Sequence, residues 1–335
     1  MKISQKMIAE YSGVSRGTVD RVLHGKPNVK PETREKVLSA IDELGYSTNM
    51  HARALSLSKR EYSICVVLPE NPFFSDVRIG IDAALKELAD YNISVSYIVT
   101  NGKTNEEIIG EIDGCDSNAF MIAVGDTPDI RDCIKRKTDE NIPVITFNSD
   151  VKDCGRMCFV GQNLYKSGRI AASLMLKMLH GDYERILIVT GNNKYKAHRE
   201  RVQGFADVIK ESGRNVEITD VVETNDESGL TRSLVKKVLS RDKELNGIYM
   251  ASGHVEALSQ LLCEYDKKFK VIVNDLYPAV ETALKKGIFD FTIFQNPFDQ
   301  GYMPVKLLFE YLFNKKTPDK EYYFTNNTII TSETL

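Results

Sequence analysis

Two short apolar stripes at helical spacing, separated by a single glycine, open the chain and limit it to few folds. Between Met7 and Val22, Ile8 and Tyr11 lie three residues apart before Gly13, and Val19 and Val22 do so after it. Ala9 is small enough for two helices to cross closely. Gly13 can take the positive φ that ends the first helix, and Ser15 can cap the second by accepting from an early backbone N–H. The spacing predicts a helix-turn-helix with Ile8 and Tyr11 facing inward. Its second helix begins with Arg16, Gly17 and Thr18, the end such a unit presents to base edges in the major groove. A helical hairpin in an ordinary core would carry the same stripes, so the charge balance matters.

That balance is uneven. Residues 1–60 hold 11 Lys and Arg against 6 Asp and Glu, a net of +5, whereas the other 275 residues carry a net of −8. A basic end on an acidic body suits an arm that neutralises phosphates. The overall charge of −3 conceals this division.

Pro31 suits the first turn of a third helix, where its missing N–H costs nothing. That helix runs through Val37, Leu38, Ile41 and Leu44 and ends at Gly45. The following segment, Tyr46 to Leu57, is too short to hold a helix in water by itself. Ser58, Lys59 and Arg60 lead into the body.

From Tyr62 the chain alternates short apolar runs with helical patterns. Residues 64–68, 93–99, 120–124 and 143–147 read as buried parallel strands, with helices at 75–90, 104–113 and 128–140 between them. A second series follows, with strands at 185–190, 216–222, 247–251 and 270–274. Two such series predict two doubly wound lobes, with ligands at the carboxyl ends of the strands. A strand near 289–294 and a helix over 297–313 would cross back to the first lobe. A final strand, 328–331, would return to the second.

Polar and aromatic residues gather at those strand ends: Asn71, Phe73 and Phe74 after the first strand, then Asn148, Ser149 and Asp150, Arg199 and Arg201, Asp275, and Gln295. Aromatic faces stack on the apolar faces of sugar rings, while carboxylates, amides and arginines hydrogen-bond the hydroxyls. No Gly-x-Gly-x-x-Gly follows the first strand and no Walker loop occurs, so no nucleotide cofactor is expected. The six cysteines are scattered without a Cys-x-x-Cys pair, so neither a metal site nor a disulfide framework is expected. Cys154 and Cys158 read as packing residues. No segment reaches the roughly 18 apolar residues of a membrane span. The expectation is a cytoplasmic, reduced, non-membrane protein. Isolated polar groups in the cleft suit recognition and not catalysis, so no enzyme is expected.

The pattern Ala9-x3-Gly13-Val14-Ser15-x2-Thr18-Val19-x-Arg21-Val22, with Thr33-Arg34-x2-Val37, Leu44-Gly45-Tyr46 and Asn49-x-x-Ala52-Arg53-x-Leu55, resembles the lactose-repressor (LacI) type of transcription regulator. The resemblance implies an N-terminal all-α helix-turn-helix domain over 1–46 and a hinge helix over 47–60. It also implies an α/β two-lobed body over 61–335, similar to periplasmic sugar-binding proteins. The first lobe would take about 61–162 and 295–324, the second about 163–294 and 325–335. It implies DNA contacts from Ser15, Arg16, Gly17, Thr18, Arg21 and His24, and from Asn49, Ala52, Arg53 and Leu55 of the hinge. Leu55 would wedge into the minor groove at the operator centre, unstacking a base step. Arg21 is the residue expected at a guanine.

In the body, Asn71-Pro72-Phe73-Phe74 is similar to the loop of ribose-type binders. Arg201, Asp275 and Gln295 match polar ligand contacts, Asn148 stands where ribose binders carry aspartate, and Ser252 stands where asparagine is common, with His254 and Glu256 following. The resemblance implies a repressor of a pseudo-palindromic operator, controlled by a sugar or polyol. It also implies a homodimer, since no leucine heptad follows the last strand. The competing expectation, a transport receptor, shares the body but not the N-terminal helices. Asp20 departs from the family pattern, which has serine there, and could pair with Arg16 one helical turn away.

Overall fold

The computed structural model describes residues 4–23, 26–27, 29–44, 61–192, 196–225, 227–253 and 255–335. They fall into two compact units.

In the first unit, helix α1 (Gln5–Ser12) is capped by Ser4, whose hydroxyl accepts from the Met7 N–H at 3.3 Å. It ends at Gly13, whose φ of 67° is the left-handed stop the sequence suggests. Helix α2 (Arg16–Leu23) is capped by Ser15, with Oγ accepting from the Thr18 N–H at 3.1 Å. Helix α3 (Pro31–Glu43) closes the unit over Ile8, Ala9, Val19, Val22, Val37 and Ala40. The inward direction of α1 lies between Ile8 and Ala9, which leaves Tyr11 about 110° away from it at 3.6 residues per turn. Tyr11 is accordingly 58 % exposed and donates to Glu43, a correction to its expected inward place. Leu38 is likewise exposed, since Val37 and Ala40 set the buried face of α3.

The second unit holds two six-stranded sheets. The first takes β1 (Tyr62–Leu68), β2 (Ile93–Val99), β3 (Ala119–Ile122), β4 (Val144–Phe147), β5 (Cys158–Gln162) and β11 (Tyr322–Thr325), in the order β11-β5-β4-β3-β1-β2. All its pairings are parallel. Interleaved are α4 (Pro72–Glu87), α5 (Asn105–Gly114) and α6 (Pro128–Asp139). The second sheet takes β6 (Glu184–Thr190), β7 (Val216–Glu223), β8 (Gly247–Met250), β9 (Lys270–Asn274), β10 (Phe291–Phe294) and β12 (Thr328–Ile330), in the order β12-β10-β9-β8-β6-β7. Only the β10–β12 pairing is antiparallel. Its helices are α7 (Leu164–Met178), α8 (Lys196–Glu211), α9 (Ser228–Arg241), α10 (Val255–Leu262) and α11 (Pro278–Lys285), while α12 (Pro297–Asn314) packs on α4 of the first lobe. The chain therefore crosses between sheets three times, after Gln162, Phe294 and Thr325.

The central strands of each sheet are buried on both faces, which is why β1, β3, β4 and β8 read as continuous apolar runs, whereas the edge strands β2 and β7 are half-exposed. The expected cysteine packing holds: Cys154 and Cys158 are fully buried, and burial pushes the Cys158 thiol up to about 12. In both lobes a pair of helices meets through glycine. A Cβ on Gly80 or Gly301 would run into the backbone carbonyl of Phe298 or Val77, and one on Gly168 or Gly204 into that of Arg201 or Tyr165. These close approaches fix the helices that carry Arg201 and Gln300.

Candidate functional site

The recognition face of the first unit lies on α2. Val19 and Val22 point into the core, so Arg16, Gly17 and Arg21 are exposed on the other side and Thr18 is half-buried. Ser15 spends its hydroxyl on the cap and also meets Thr18 Oγ1 at 2.9 Å, which fixes the first turn of α2. Arg34 of α3 donates to the Lys26 carbonyl at 3.0 Å and holds the loop that follows α2. Asp20 pairs with Lys26, at 3.6 Å. His24 and the hinge residues Asn49, Ala52, Arg53 and Leu55 lie outside the described residues, as does His254.

In the body, the expected ligand contacts converge at the strand ends beside the crossovers. Asn148 follows β4, Asp275 follows β9, and Asn296 comes two residues after β10; their φ values are 58°, 68° and 53°. Asn and Asp tolerate this left-handed region better than other side-chain-bearing residues, so the turns and the chemistry ask for the same residue types.

Gln295 ties the lobes together. Its Nε2 donates to Asp275 Oδ1 at 2.6 Å, and its backbone carbonyl accepts from Thr325 Oγ1 at 2.8 Å. Gln300, fully buried in the first turn of α12, donates through Nε2 to the Gln295 carbonyl at 3.0 Å and to Gln295 Oε1 at 3.2 Å. Asn148 donates through Nδ2 to Gln300 Oε1 at 3.2 Å and, more loosely, to Gln295 Oε1 at 3.5 Å. The direction of this chain is forced. A backbone carbonyl can only accept, so Gln300 turns its NH2 group toward the Gln295 carbonyl and Oε1, which leaves the Gln295 NH2 group for Asp275 and the Gln300 oxygen for Asn148. Asn148 therefore supplies its NH2 to the network and retains Oδ1 as an acceptor.

On the other side of Asp275 stands Arg201, 4 % exposed. Its Nη1 donates to the Ala251 carbonyl at 3.0 Å and its Nη2 to Gln162 Oε1 at 2.7 Å. Arg201 Nε, Gln162 Nε2 and Ser252 Oγ are buried without a partner among the described residues. Orphaned buried donors are rare in a folded chain and here mark a place where acceptor oxygens fit. Burial pushes the Asp275 carboxyl above its ordinary range, against the pull of the Arg201 charge, the Gln295 hydrogen bond and His198. Behind it, Asn274 is locked by Ser167, Tyr249 and the Met250 carbonyl.

Three expected contacts take supporting places. Asn71 caps α4, its Oδ1 accepting from the Phe74 N–H at 3.1 Å. Phe74 is buried edge-on against Phe147, with ring centres 6.2 Å apart, leaving half-buried Phe73 as the aromatic with open surface. Asp150 is committed within its own lobe: Arg156 donates to both carboxylate oxygens at 2.7 and 3.1 Å, and Thr146 Oγ1 donates at 2.9 Å. A carboxylate buried this deeply needs that paired charge, which corrects its expected place against a ligand. Arg199 is exposed.

Sequence reasoning missed Gln162 and Gln300. Gln162 ends the short strand β5, which has a glycine near its end and no alternating pattern to reveal it. Gln300 lies inside a helix, where only its five-residue distance from Gln295 hinted at it. Among the described residues, no group of three or more His, Cys, Asp or Glu is placed to hold a metal ion, and no helix is long and apolar enough to cross a membrane.

Comparison with known proteins agrees with this division. Residues 6–49 match the model of bacterial regulatory proteins of the lacI family, and residues 63–316 match the periplasmic binding protein domain. Catabolite control protein A of Priestia megaterium is 25 % identical over 328 residues, covering 95 % of each chain. The HTH-type transcriptional regulator RegA of Clostridium saccharobutylicum is 26 % identical and covers 99 % of each. Among solved structures, a solute-binding protein of an ABC transporter from Burkholderia graminis, in complex with D-arabinose, superposes with a TM-score of 0.75 at 22 % identity, covering 82 % of this chain and 96 % of that one. The last likeness carries the fold of the body. The N-terminal match and the full-length regulators set this chain apart from a transport receptor. The body belongs to the periplasmic binding protein domain family and the N-terminal segment carries a lacI-family DNA-binding domain: the chain is a DNA-binding transcription regulator with a periplasmic-binding-protein-like sensor body.

Proposed function

We propose that the effector is a neutral sugar or polyol held between Asn148, Asp275 and Arg201, with Ser252 and Phe73 completing the contacts, and that it controls a repressor's affinity for its operator. The polarity of the amide chain carries this reading. Asn148 Oδ1 and the Asp275 carboxylate offer acceptors, while Arg201 Nε, Gln162 Nε2 and Ser252 Oγ offer donors. A hydroxyl both donates and accepts, so a polyhydroxylated molecule answers both sets. A phosphate or carboxylate at the Asn148–Asp275 end would meet acceptors only.

The molecule would act as a homodimer in the cytoplasm, two α2 helices reading the halves of a pseudo-palindromic operator. In this reading Ser15, Arg16, Gly17, Thr18, Arg21 and His24 meet the major groove, and Asn49, Ala52, Arg53 and Leu55 act at the operator centre. The groups of the cleft suit recognition and not turnover.

A thermal-shift panel of neutral sugars, polyols and sugar phosphates tests the ligand class. A ligand at a hundred times its dissociation constant adds about 2.7 kcal/mol to a body that binds it only when folded. Stabilisation by neutral members is the expected result. Stabilisation by the phosphorylated members alone would contradict it.

A further inference from the structure

Gln300 is fully buried, and both ends of its amide are engaged. Burying an amide is costly unless it is hydrogen-bonded, so its partners fix its orientation. One partner is the Gln295 backbone carbonyl, which can only accept and lies 3.0 Å from Nε2. The Gln300 NH2 group therefore faces Gln295, and its Oε1 faces Asn148 Nδ2, 3.2 Å away. The helix cannot back away from this contact. A Cβ on the next residue, Gly301, would run into the Val77 carbonyl, so α12 lies backbone to backbone on α4 here.

Asn148 is held by its backbone, with its N–H donating to the Val160 carbonyl at 3.0 Å and φ at 58°. Its amide can still turn end for end, because C=O and NH2 occupy nearly the same volume. Hydrogen bonding decides between the two orientations. Gln300 Oε1 accepts, so it takes the NH2 group and turns Oδ1 the other way. Gln295 Oε1 also accepts, but at 3.5 Å it is at the limit of a hydrogen bond.

We propose that Gln300 is a positioning residue for effector specificity: its Oε1 orients Asn148 so that the cleft presents an acceptor there and selects a ligand hydroxyl that donates. The proposal rests on the reading of Asn148 as an effector contact. Packing would ask only for a side chain of this size in the first turn of α12, whereas the polarity of Asn148 asks for an acceptor.

The test uses a neutral sugar that the full chain binds, together with its monodeoxyfluoro derivatives. Calorimetric titrations compare wild type with Gln300→Met, Gln300→Leu and Gln300→Glu, and the melting temperature of each is recorded without sugar. Fluorine is close in size to a hydroxyl but cannot donate, so it meets a protein acceptor unfavourably. Wild type should bind at least one derivative on the order of tenfold or more weakly than the parent sugar. Gln300→Glu keeps an oxygen toward Asn148 whether or not its carboxyl is ionised. It should keep that penalty, even though it weakens the bond to Gln295 and melts lower. Gln300→Met and Gln300→Leu remove the acceptor and let Asn148 turn its NH2 group to the fluorine. In them the penalty at one position should fall to about threefold or less, while penalties at positions facing Asp275 survive. Unchanged penalties at every position in Gln300→Met or Gln300→Leu would overturn the proposal. Loss of the same penalty in Gln300→Glu would overturn it too, because packing and not polarity would then be responsible. A wild-type chain that binds no neutral sugar would contradict the reading of the cleft itself, and the proposal with it.

Discussion

Asp275 shows how one residue can serve the site at the expense of the fold. Its carboxyl is held above the ordinary range by burial, so over the interval between its unfolded and folded values the native chain binds more protons than the unfolded chain. Stability from this group therefore falls as pH rises through that interval. Asp275→Asn keeps the acceptor for Gln295 Nε2 and tolerates the left-handed φ of 68°. The variant should show a flatter profile of stability against pH across that interval in denaturant titrations, and should lose the response to effector at neutral pH. A steeper profile would contradict the burial account. The sequence singled out Asp275, Arg201 and Gln295 because each follows a readable strand end or lies early in a readable helix. It could not disclose that Asp150 is spoken for by Arg156, since a carboxylate two residues after Asn148 looks the same whether or not an arginine folds back on it.

At the scale of elements, the site depends on how closely its helices pack. The carbonyl of Arg201 lies where a Cβ of Gly168 would sit, so α7 and α8 touch backbone to backbone at a residue we propose as a ligand contact. Gly168→Ala would force the helices apart and cost about 1–3 kcal/mol of overpacking. It should lower the melting temperature and weaken effector binding together. Gly110, on α5, has open space around its Cβ position. Gly110→Ala should stabilise the chain by about 0.5–1 kcal/mol and leave effector binding alone. Equal behaviour of the two variants would contradict the packing account. The strands Ile93–Val99 and Lys270–Asn274 were legible to the residue, the second by its unbroken Val271–Val273 run and the first by its alternation with Ser94 and Ser96, which marks a half-exposed edge strand in place of the buried one expected. Cys158–Gln162 and Tyr322–Thr325 were not. They are short, and their place in the sheet is set by neighbours far away in sequence. The exposure of Tyr11 was missed because a three-residue spacing fits either flank of a buried stripe, and only the third helix decides which flank is covered.

At the scale of the whole molecule, the three crossovers meet beside the proposed ligand contacts. Gln162 begins the first and bonds Arg201, Gln295 begins the second and bonds Asp275, and Thr325 begins the third and bonds Gln295. A molecule that pulls on Asp275 and Arg201 therefore pulls on every covalent connection between the lobes. Coupling to DNA requires only that effector bind two body conformations unequally, at about 1–3 kcal/mol per site. The most direct measurement is the operator dissociation constant of the full chain, read by fluorescence anisotropy with and without a saturating sugar found in the thermal panel. Wild type should show a shift of roughly 5- to 150-fold in either direction, and Asp275→Asn should show none. The same dissociation constant with and without bound sugar in the wild type, or a shift that survives Asp275→Asn, would contradict the account.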